Sequence, residues 1–553
     1  MKKLKKHQFF IVAAIAFVLI GILIYAAVRI YNYYFGMRLM NTGDLAPVTE
    51  AGEYNIVYNG VFNQKAIMVS DVLYLDMEVI NGEWADGMLF YAEDVQKVLY
   101  TTPTQMSESD INRDDFKEYN DRVYIRAELA SEMFGTQYRV NEEERLVAVL
   151  SPNNQLAEVL ESGTYLLATP NEGERGYSAE LRRGSTIALI EGDWADNGYC
   201  LAMDENGHTG YIAPDQFEIS STQISRKVPE ALEMDEDKLI DSTVSLAWQQ
   251  IYSSEFTDAV YNEIASAGYY INVVSPTWFK LNESGGIDSL ANENYVEWCH
   301  NQGLQVWALF DNNFDDEWTY QALSSTATRQ ELARQLLEYC ETYQLDGINM
   351  DFEQMTAETD RYYAQFLREL SIVLRSNGYL LTVDCAVPSE WTDYYQRDVM
   401  NAVCDYVIVM AYDEHYAGDT VAGSTSSQRF TAEAIYNMLG EGVSADKLVL
   451  GVPFYTRVWM GVDNLRSEAV GMDAAQTCIE ENQLTVTYDT ETGQNYAEGM
   501  VGETLYRIWL EDTTSMSWRL KLMQDNELAG VAAWSLGFEN SEIWSVYEEA
   551  FYS

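Results

Sequence analysis

From residue 242 onward the chain alternates short, nearly continuous apolar runs with longer stretches in which apolar residues recur every three or four positions. The runs fall at 243–248, 270–275, 304–310, 345–353, 380–387, 405–412, 447–455 and 530–534. Runs of that length without internal polar alternation read as parallel strands covered on both faces. Between them, Leu332, Leu336, Leu337 and Cys340 share one helical face, and Tyr363, Phe366, Leu367, Leu370 and Leu374 share another, closed by Asn377 and Gly378. Eight such units predict an α/β domain over 242–553, a (β/α)8 TIM barrel rather than an open doubly wound sheet. The longest interval, 456–526, exceeds one helix. It predicts a small insertion after the seventh strand, with a hairpin through 484–488 and 505–510.

Upstream the rhythm differs. Residues 41–155 mix strand-like runs (66–69, 72–75, 137–140, 145–150) with helical patches at 92–99 and 126–134, predicting a small α+β module. Residues 162–220 hold closely spaced short strands at 164–168, 186–191, 198–203 and 209–213, predicting a small five-stranded barrel. Residues 221–241, polar and containing Pro229, read as a linker.

Residues 9–28 are twenty uncharged, mostly apolar positions, long enough to cross a bilayer as a helix. Lys2, Lys3, Lys5 and Lys6 precede them, so residues 1–8 are expected in the cytoplasm and everything beyond about 29 outside a single-pass membrane anchor. A cleaved signal peptide is the competing reading, but the apolar run is too long for one and no clear small-residue cleavage site follows.

Charge and cysteine usage narrow the partners. With 34 basic against 87 acidic residues the net charge is -53, which argues against nucleic acid or anionic lipid as a partner. The six cysteines are scattered without a CxxC pair, and there are four histidines. That pattern suggests small buried residues rather than a zinc site or dense disulfide framework, and no metal or cofactor is expected.

The chemistry concentrates at 345–353. Strand alternation turns Asn349, Asp351 and Glu353 one way and Ile348, Met350 and Phe352 the other. The bland reading is a solvated strand end. Large apolar residues on the opposite face and the repulsion between neighbouring carboxylates favour a working site instead. In a barrel of this type the site lies at the carboxyl ends of the strands. Tyr412 and Asp413, Tyr455 and Arg457, and Trp534 fall at those ends, and aromatic rings beside paired acids suit a sugar.

Asp346-Gly347, Asp351 and Glu353 match the DGxxxDxE signature of glycoside hydrolase family 18, the chitinase-like family, which the segment resembles. Met410, Tyr412 and Asp413 resemble its M-x-Y-D motif. Residues 450–457 resemble its LGxPxYGR segment with Thr456 in place of glycine, and Trp534 resembles its last-strand tryptophan. The resemblance implies substrate-assisted, retaining hydrolysis of a β-linked N-acetylglucosaminide. Glu353 would be the general acid, Asp351 would hold the acetamido group with help from Tyr412, Asn349 would orient Asp351, and Asp346 would support the cluster. Met410, Asp413, Trp534, Tyr455, Arg457, Trp307 and Asn312 are the expected substrate-binding residues. The usual third-strand SxGG motif is missing, and Trp307 to Asn312 stand there. Asn349 stands where many chitinases have aspartate. Both departures resemble the branch acting on peptidoglycan and spore cortex.

The 41–155 module resembles, through Tyr124 to Leu129, a stalk-like domain related to the amine oxidase N-terminal domain of exported Gram-positive proteins. With no histidine between residues 8 and 207, copper is not implied. Residues 162–220 resemble a bacterial Src-homology-3-like domain through Asp193-Trp194 and Gly210-Tyr211-Ile212, implying either a spacer or contact with wall peptides. Two alternatives stay open: a non-catalytic glycan-binding protein on the same barrel, and a Mg2+ or Ca2+ site on Asp346, Asp351 and Glu353. Alternation turns Asp346 away from the other two, against the metal reading.

Overall fold

The computed structural model of the chain describes residues 36–40, 52–223 apart from 59–60, 84–86, 103–104, 112–113, 121, 135–136, 151–153, 172 and 196, and 239–552 apart from 241. Segments 1–8 and 9–28 and most of the 221–241 linker lie outside the described residues. Among the described residues no helix is long and apolar enough to cross a membrane. The chain divides into two compact units, one drawn from residues up to 229 and the other from 230 onward, with 92–95 and 99–108 assigned to the second.

In the first unit a seven-stranded sheet runs in the order Gln137–Asn141, Leu146–Leu150, Glu53–Tyr58, Val61–Val69, Val72–Asp76, Arg122–Arg126, Phe116–Tyr119. Helix Ala127–Phe134 buries Ala127, Ala130 and Phe134. The helix expected at 92–99 is instead a turn between strands Met88–Ala92 and Lys97–Thr101, with Gln96 at a φ of 54°. The i, i+3, i+4 spacing of Val95, Val98 and Leu99 imitated a helix there, because the charged turn interrupts it. A second, eight-stranded sheet takes Arg38–Leu39 at one edge and seven strands between Gln155 and Gln223. Gly176–Leu181, Gln155–Val159 and Phe217–Gln223 add to the strands expected from the sequence. Its interior is built from Ala157, Val159, Leu166, Leu189, Cys200 and Ile212.

The second unit is an eight-stranded parallel barrel. Its strands are β1 (Val244–Gln249), β2 (Val273–Leu281), β3 (Gln305–Asp311), β4 (Gly347–Asp351), β5 (Leu380–Ala386), β6 (Tyr406–Met410), β7 (Leu448–Pro453) and β8 (Gly530–Trp534). Each pairs in parallel with the next, and β1 pairs with β8 to close the ring. Val244, Leu246, Val273, Trp307, Leu309, Leu380, Ile408 and Val449 fill the interior, so the barrel is a packed core with a site only at one end. Gly347 is required by closeness: a Cβ there would lie 2.7 Å from the carbonyl oxygen and Cβ of Leu380. The second strand starts later than its apolar run, because residues 268–270 form a 3-10 turn first.

After β7 the chain leaves the barrel for a five-stranded sheet in the order Arg466–Gly471, Tyr455–Met460, Thr504–Trp509, Gln494–Val501, Thr485–Asp489. The expected hairpin of 484–488 with 505–510 does not pair directly. Gln494–Val501, too polar and glycine-containing to stand out in the sequence, lies between the two and bonds to both. The six cysteines are free thiols, five buried and Cys478 half-buried.

Candidate active site

Four neighbouring strands bring charge into a single row at the carboxyl end of the barrel. Lys280 of β2 stands opposite Asp311 of β3, and Asp311 opposite Asp351 of β4. The pairing of Met350 with Val383 then carries Asp351 level with Asp384 of β5. Lys280 Nζ donates to Asp311 Oδ2 at 2.7 Å, which occupies the one cation of the row with the first acid. Asp351, in the middle, is 7 % exposed, and its Oδ1 has no hydrogen-bond partner among the described residues. Glu353 follows two residues beyond the end of β4. Asn312 clamps its backbone: Oδ1 accepts from the Glu353 N–H at 3.1 Å and Nδ2 donates to the Glu353 carbonyl at 2.8 Å.

Crowded acids out of water hold their protons tightly. Burial pushes the Glu353 carboxyl up to about 7, and the charges of Asp413 and Asp311 add to it. Asp351 rises well above its ordinary value, chiefly by burial and then by Glu353, Asp384 and Asp311, with Lys280 opposing. Asp384 is also raised by burial, and a hydrogen bond from Asn349 opposes the rise. Burial likewise keeps the Tyr412 phenol protonated, leaving its O–H a donor.

These groups open into a cavity of about 600 Å³, within the size range of small-molecule sites. Asp351, Glu353, Asp384 and Asp413 line it together with Trp248, Met410, Tyr412, Tyr455 and Trp534. Trp248 packs against Trp534 with ring centroids 5.8 Å apart and meets Tyr412 edge-on at 6.5 Å. Tyr455 Oη donates to Asp413 Oδ1 at 2.6 Å. The result is an aromatic floor beside a bank of acids.

Of the residues expected from the sequence, the structure brings Asp351, Glu353, Tyr412, Asp413, Met410, Tyr455 and Trp534 together around the cavity. Five others are placed elsewhere. Asp346 precedes β4, where its Oδ2 bonds the Val306 N–H and His300 Nε2, at the opposite end of the barrel from Glu353. Trp307 lies two positions deeper in β3 than Leu309, fully buried, stacked on Tyr406 at 5.4 Å and donating to Gln305. It fills the barrel core and cannot touch a ligand. Asn312 is spent on the Glu353 backbone, and its Nδ2 also donates to Thr319 Oγ1. Arg457 turns its guanidinium to Ser467 in the insertion sheet, outside the cavity lining. Asn349 does not bond Asp351: Trp248 Nε1 and Ser275 Oγ both donate to its Oδ1 at 2.9 Å, and its Nδ2 donates to Asp384 Oδ1 at 2.8 Å.

Three cavity or near-cavity residues were not singled out from the sequence. Trp248, Asp311 and Asp384 each carried a readable signal, standing at or near the carboxyl end of a predicted strand. Asp384 is the lone acid within its run and Asp311 directly follows another run, and such an acid is costly unless the site uses it.

Residues 293–539 match the family described as Glycosyl hydrolases family 18. The chain is 21% identical over 301 residues to an uncharacterized glycosylase, YvbX, of Bacillus subtilis (strain 168), a match covering 52% of this chain and 86% of the relative. It is 22% identical over 321 residues to the cortical fragment-lytic enzyme of the same organism, covering 56% and 74%. In fold it is similar to the crystal structure of a chitinase from Chromobacterium violaceum ATCC 12472, with a TM-score of 0.51 and 17% identity, covering 56% of this chain and 100% of that one. The family match runs from before β3 to beyond β8 of the barrel, and the protein is a glycosidase.

Proposed function

We propose that this glycosidase cleaves β-linked N-acetylglucosamine glycans, with a bacterial wall polymer favoured over chitin, by a retaining mechanism in which the substrate's acetamido group is the nucleophile. The observation that carries the reading is the pair Asp351 and Glu353 lining one cavity, the first buried with an Oδ1 to which no described residue donates, the second half-buried with its carboxyl pushed up to about 7. Glu353 gives its proton to the glycosidic oxygen as that bond breaks. The acetamido oxygen attacks the anomeric carbon, and Asp351 accepts the acetamido N–H at the Oδ1 that has no donor among the described residues. The Tyr412 hydroxyl steadies the acetamido carbonyl. Water then opens the ring intermediate, with Glu353 taking back a proton, so the anomeric configuration is retained. Trp534 and Trp248 offer ring faces to the apolar side of the sugar. No enzymic carboxylate forms a bond to carbon.

Similarity to the cortical fragment-lytic enzyme, together with Asn349 and the missing third-strand glycine motif, supports a wall glycan. The apolar segment 9–28 behind four lysines supports a catalytic unit held outside a single-pass membrane anchor on a bacterial surface, and residues 162–220 are suited to a spacer or a wall-peptide contact. The test is release of reducing ends from purified peptidoglycan and from chitin oligomers by wild type and Glu353→Gln. Wild type should release them and the variant should not. Binding of both glycans without cleavage of either would leave only a glycan-binding protein, and loss of activity in EDTA would return the metal reading.

A further inference from the structure

The row of acids does not stop at the residues the proposed mechanism uses. Asp384 is 2 % exposed, faces the same cavity and lies beside Asp351 on the next strand. Its surroundings are defined by a chain of donors. An indole N–H can only donate, so the bond from Trp248 fixes which end of the Asn349 amide is oxygen. Ser275 adds a second donor to that oxygen. The amide NH2 is therefore aimed at Asp384 and supports it as an anion. Among the described residues Asp351 has no such support at Oδ1. Burial raises both acids, and of the two the one with a donor is the better placed to hold a charge and the one without to hold a proton.

That distribution must reverse when substrate arrives, because Asp351 can accept the acetamido N–H well only as a carboxylate. We propose that Asp384 is the positioning residue that takes up the proton Asp351 gives up on substrate binding, the role being made necessary by an amide at position 349. The proton moves from Asp351 to the Asp384 carboxylate, no charge enters or leaves the cavity, and Asp351 is freed to turn toward the acetamido group. Asn349 cannot do this, since an amide has no proton to exchange at these pH values. The groups that act on Asp384 are Asp351 from β4, Glu353 beyond its end, Tyr412 beyond β6, Tyr363 from the helix Ala357–Arg375, Trp248 from β1 and Asn349 itself. None of these is a cation, and Lys280, the cation of the row, is bonded to Asp311.

The inference rests on the acetamido-steering role of Asp351, and the experiment separates the two. Asp384→Asn is expected to lower kcat on a fluorogenic chitobioside by about 10²-fold with KM changed less than about threefold, and to shift the acidic limb of the kcat profile. The exchange variant Asn349→Asp with Asp384→Asn keeps the bond between the two side chains with its direction reversed and leaves one carboxyl beside Asp351. It should recover at least about tenfold of the loss, with thermal melting confirming that both variants fold. Calorimetric binding of chitotetraose to Glu353→Gln, with and without Asp384→Asn and in buffers of different ionisation heat, gives a readout without turnover. No net proton should be exchanged when Asp384 is present, and a pH-dependent release should appear when it is absent. Wild-type kcat and pH profile in Asp384→Asn, or an exchange variant no better than Asp384→Asn, would overturn the assignment. Failure of wild type to cleave at all would count against the proposed function, while the calorimetry would still decide for or against Asp384.

Discussion

Two buried carboxyls in the same unit, Glu511 and Asp351, have opposite surroundings. Glu511 sits between the insertion sheet and the helix Thr513–Asp525, where Nη1 and Nη2 of Arg519 donate to it and Ser515 and Gln494 donate to its two oxygens. Arg519 is itself fully buried and also donates to the Ser426 carbonyl. Glu369 repeats the pattern with Arg329 and Gln365. Asp351 is also buried yet faces three other acids, and among the described residues its Oδ1 has no donor. Burial raises both carboxyls, but at Glu511 the arginine opposes the rise and at Asp351 the neighbours reinforce it. The first arrangement holds the fold together. The second leaves a carboxyl that holds its proton and opens onto the cavity.

The comparison breaks first at the paired site. Arg519→Ala leaves Glu511 uncompensated and should cost on the order of 3–5 kcal/mol in urea denaturation, whereas replacing both partners by methionine and leucine should cost far less. At the unpaired site the sign reverses. The folded-state pKa of Asp351 lies above its unfolded value, so its contribution to stability is fully present below about pH 4 and is lost as pH rises through the folded pKa. Asp351→Asn should therefore unfold later than wild type at pH 8, by at least about 1 kcal/mol, and show no advantage near pH 4, while being inactive. An Asp351→Asn variant that is destabilised at pH 8 would mean the carboxylate has a partner after all.

A smaller effect sharpens the site's electrostatics. With Glu353 held at about 7 and required in its protonated form, kcat/KM should fall about tenfold per unit above pH 7. Asp413→Asn removes one of the charges that hold the proton on Glu353, so that limb should move to lower pH, by roughly 1 unit or less. An unmoved limb would assign the titration to another group.

The sequence made the barrel readable because parallel strands buried on both faces leave nearly unbroken apolar runs, and β8 begins and ends where its run does. The site was readable where a polar or aromatic residue ended such a run: Asp351, Glu353, Tyr412, Tyr455 and Trp534. It failed where direction mattered more than position. Asn349 shares a strand face with Asp351, but Trp248 and Ser275, distant in sequence, turn its amide toward β5. Trp307 is also on the inward face, yet its depth in β3 places it in the core. Strand alternation gives the side of a sheet, not the height in a barrel or the aim of an amide. The 92–99 turn and the Gln494–Val501 strand escaped for a related reason, since their pairing partners, not their own patterns, determine them.

The most direct test of the account is how the effect of Glu353→Gln depends on the leaving group. If Glu353 supplies the proton, the variant should lose about 10²–10⁴-fold in kcat on chitin oligomers or muropeptide glycans but far less on a dinitrophenyl N-acetylglucosaminide, whose leaving group needs no proton. An equal loss on both substrates would contradict the assignment of Glu353 as the acid.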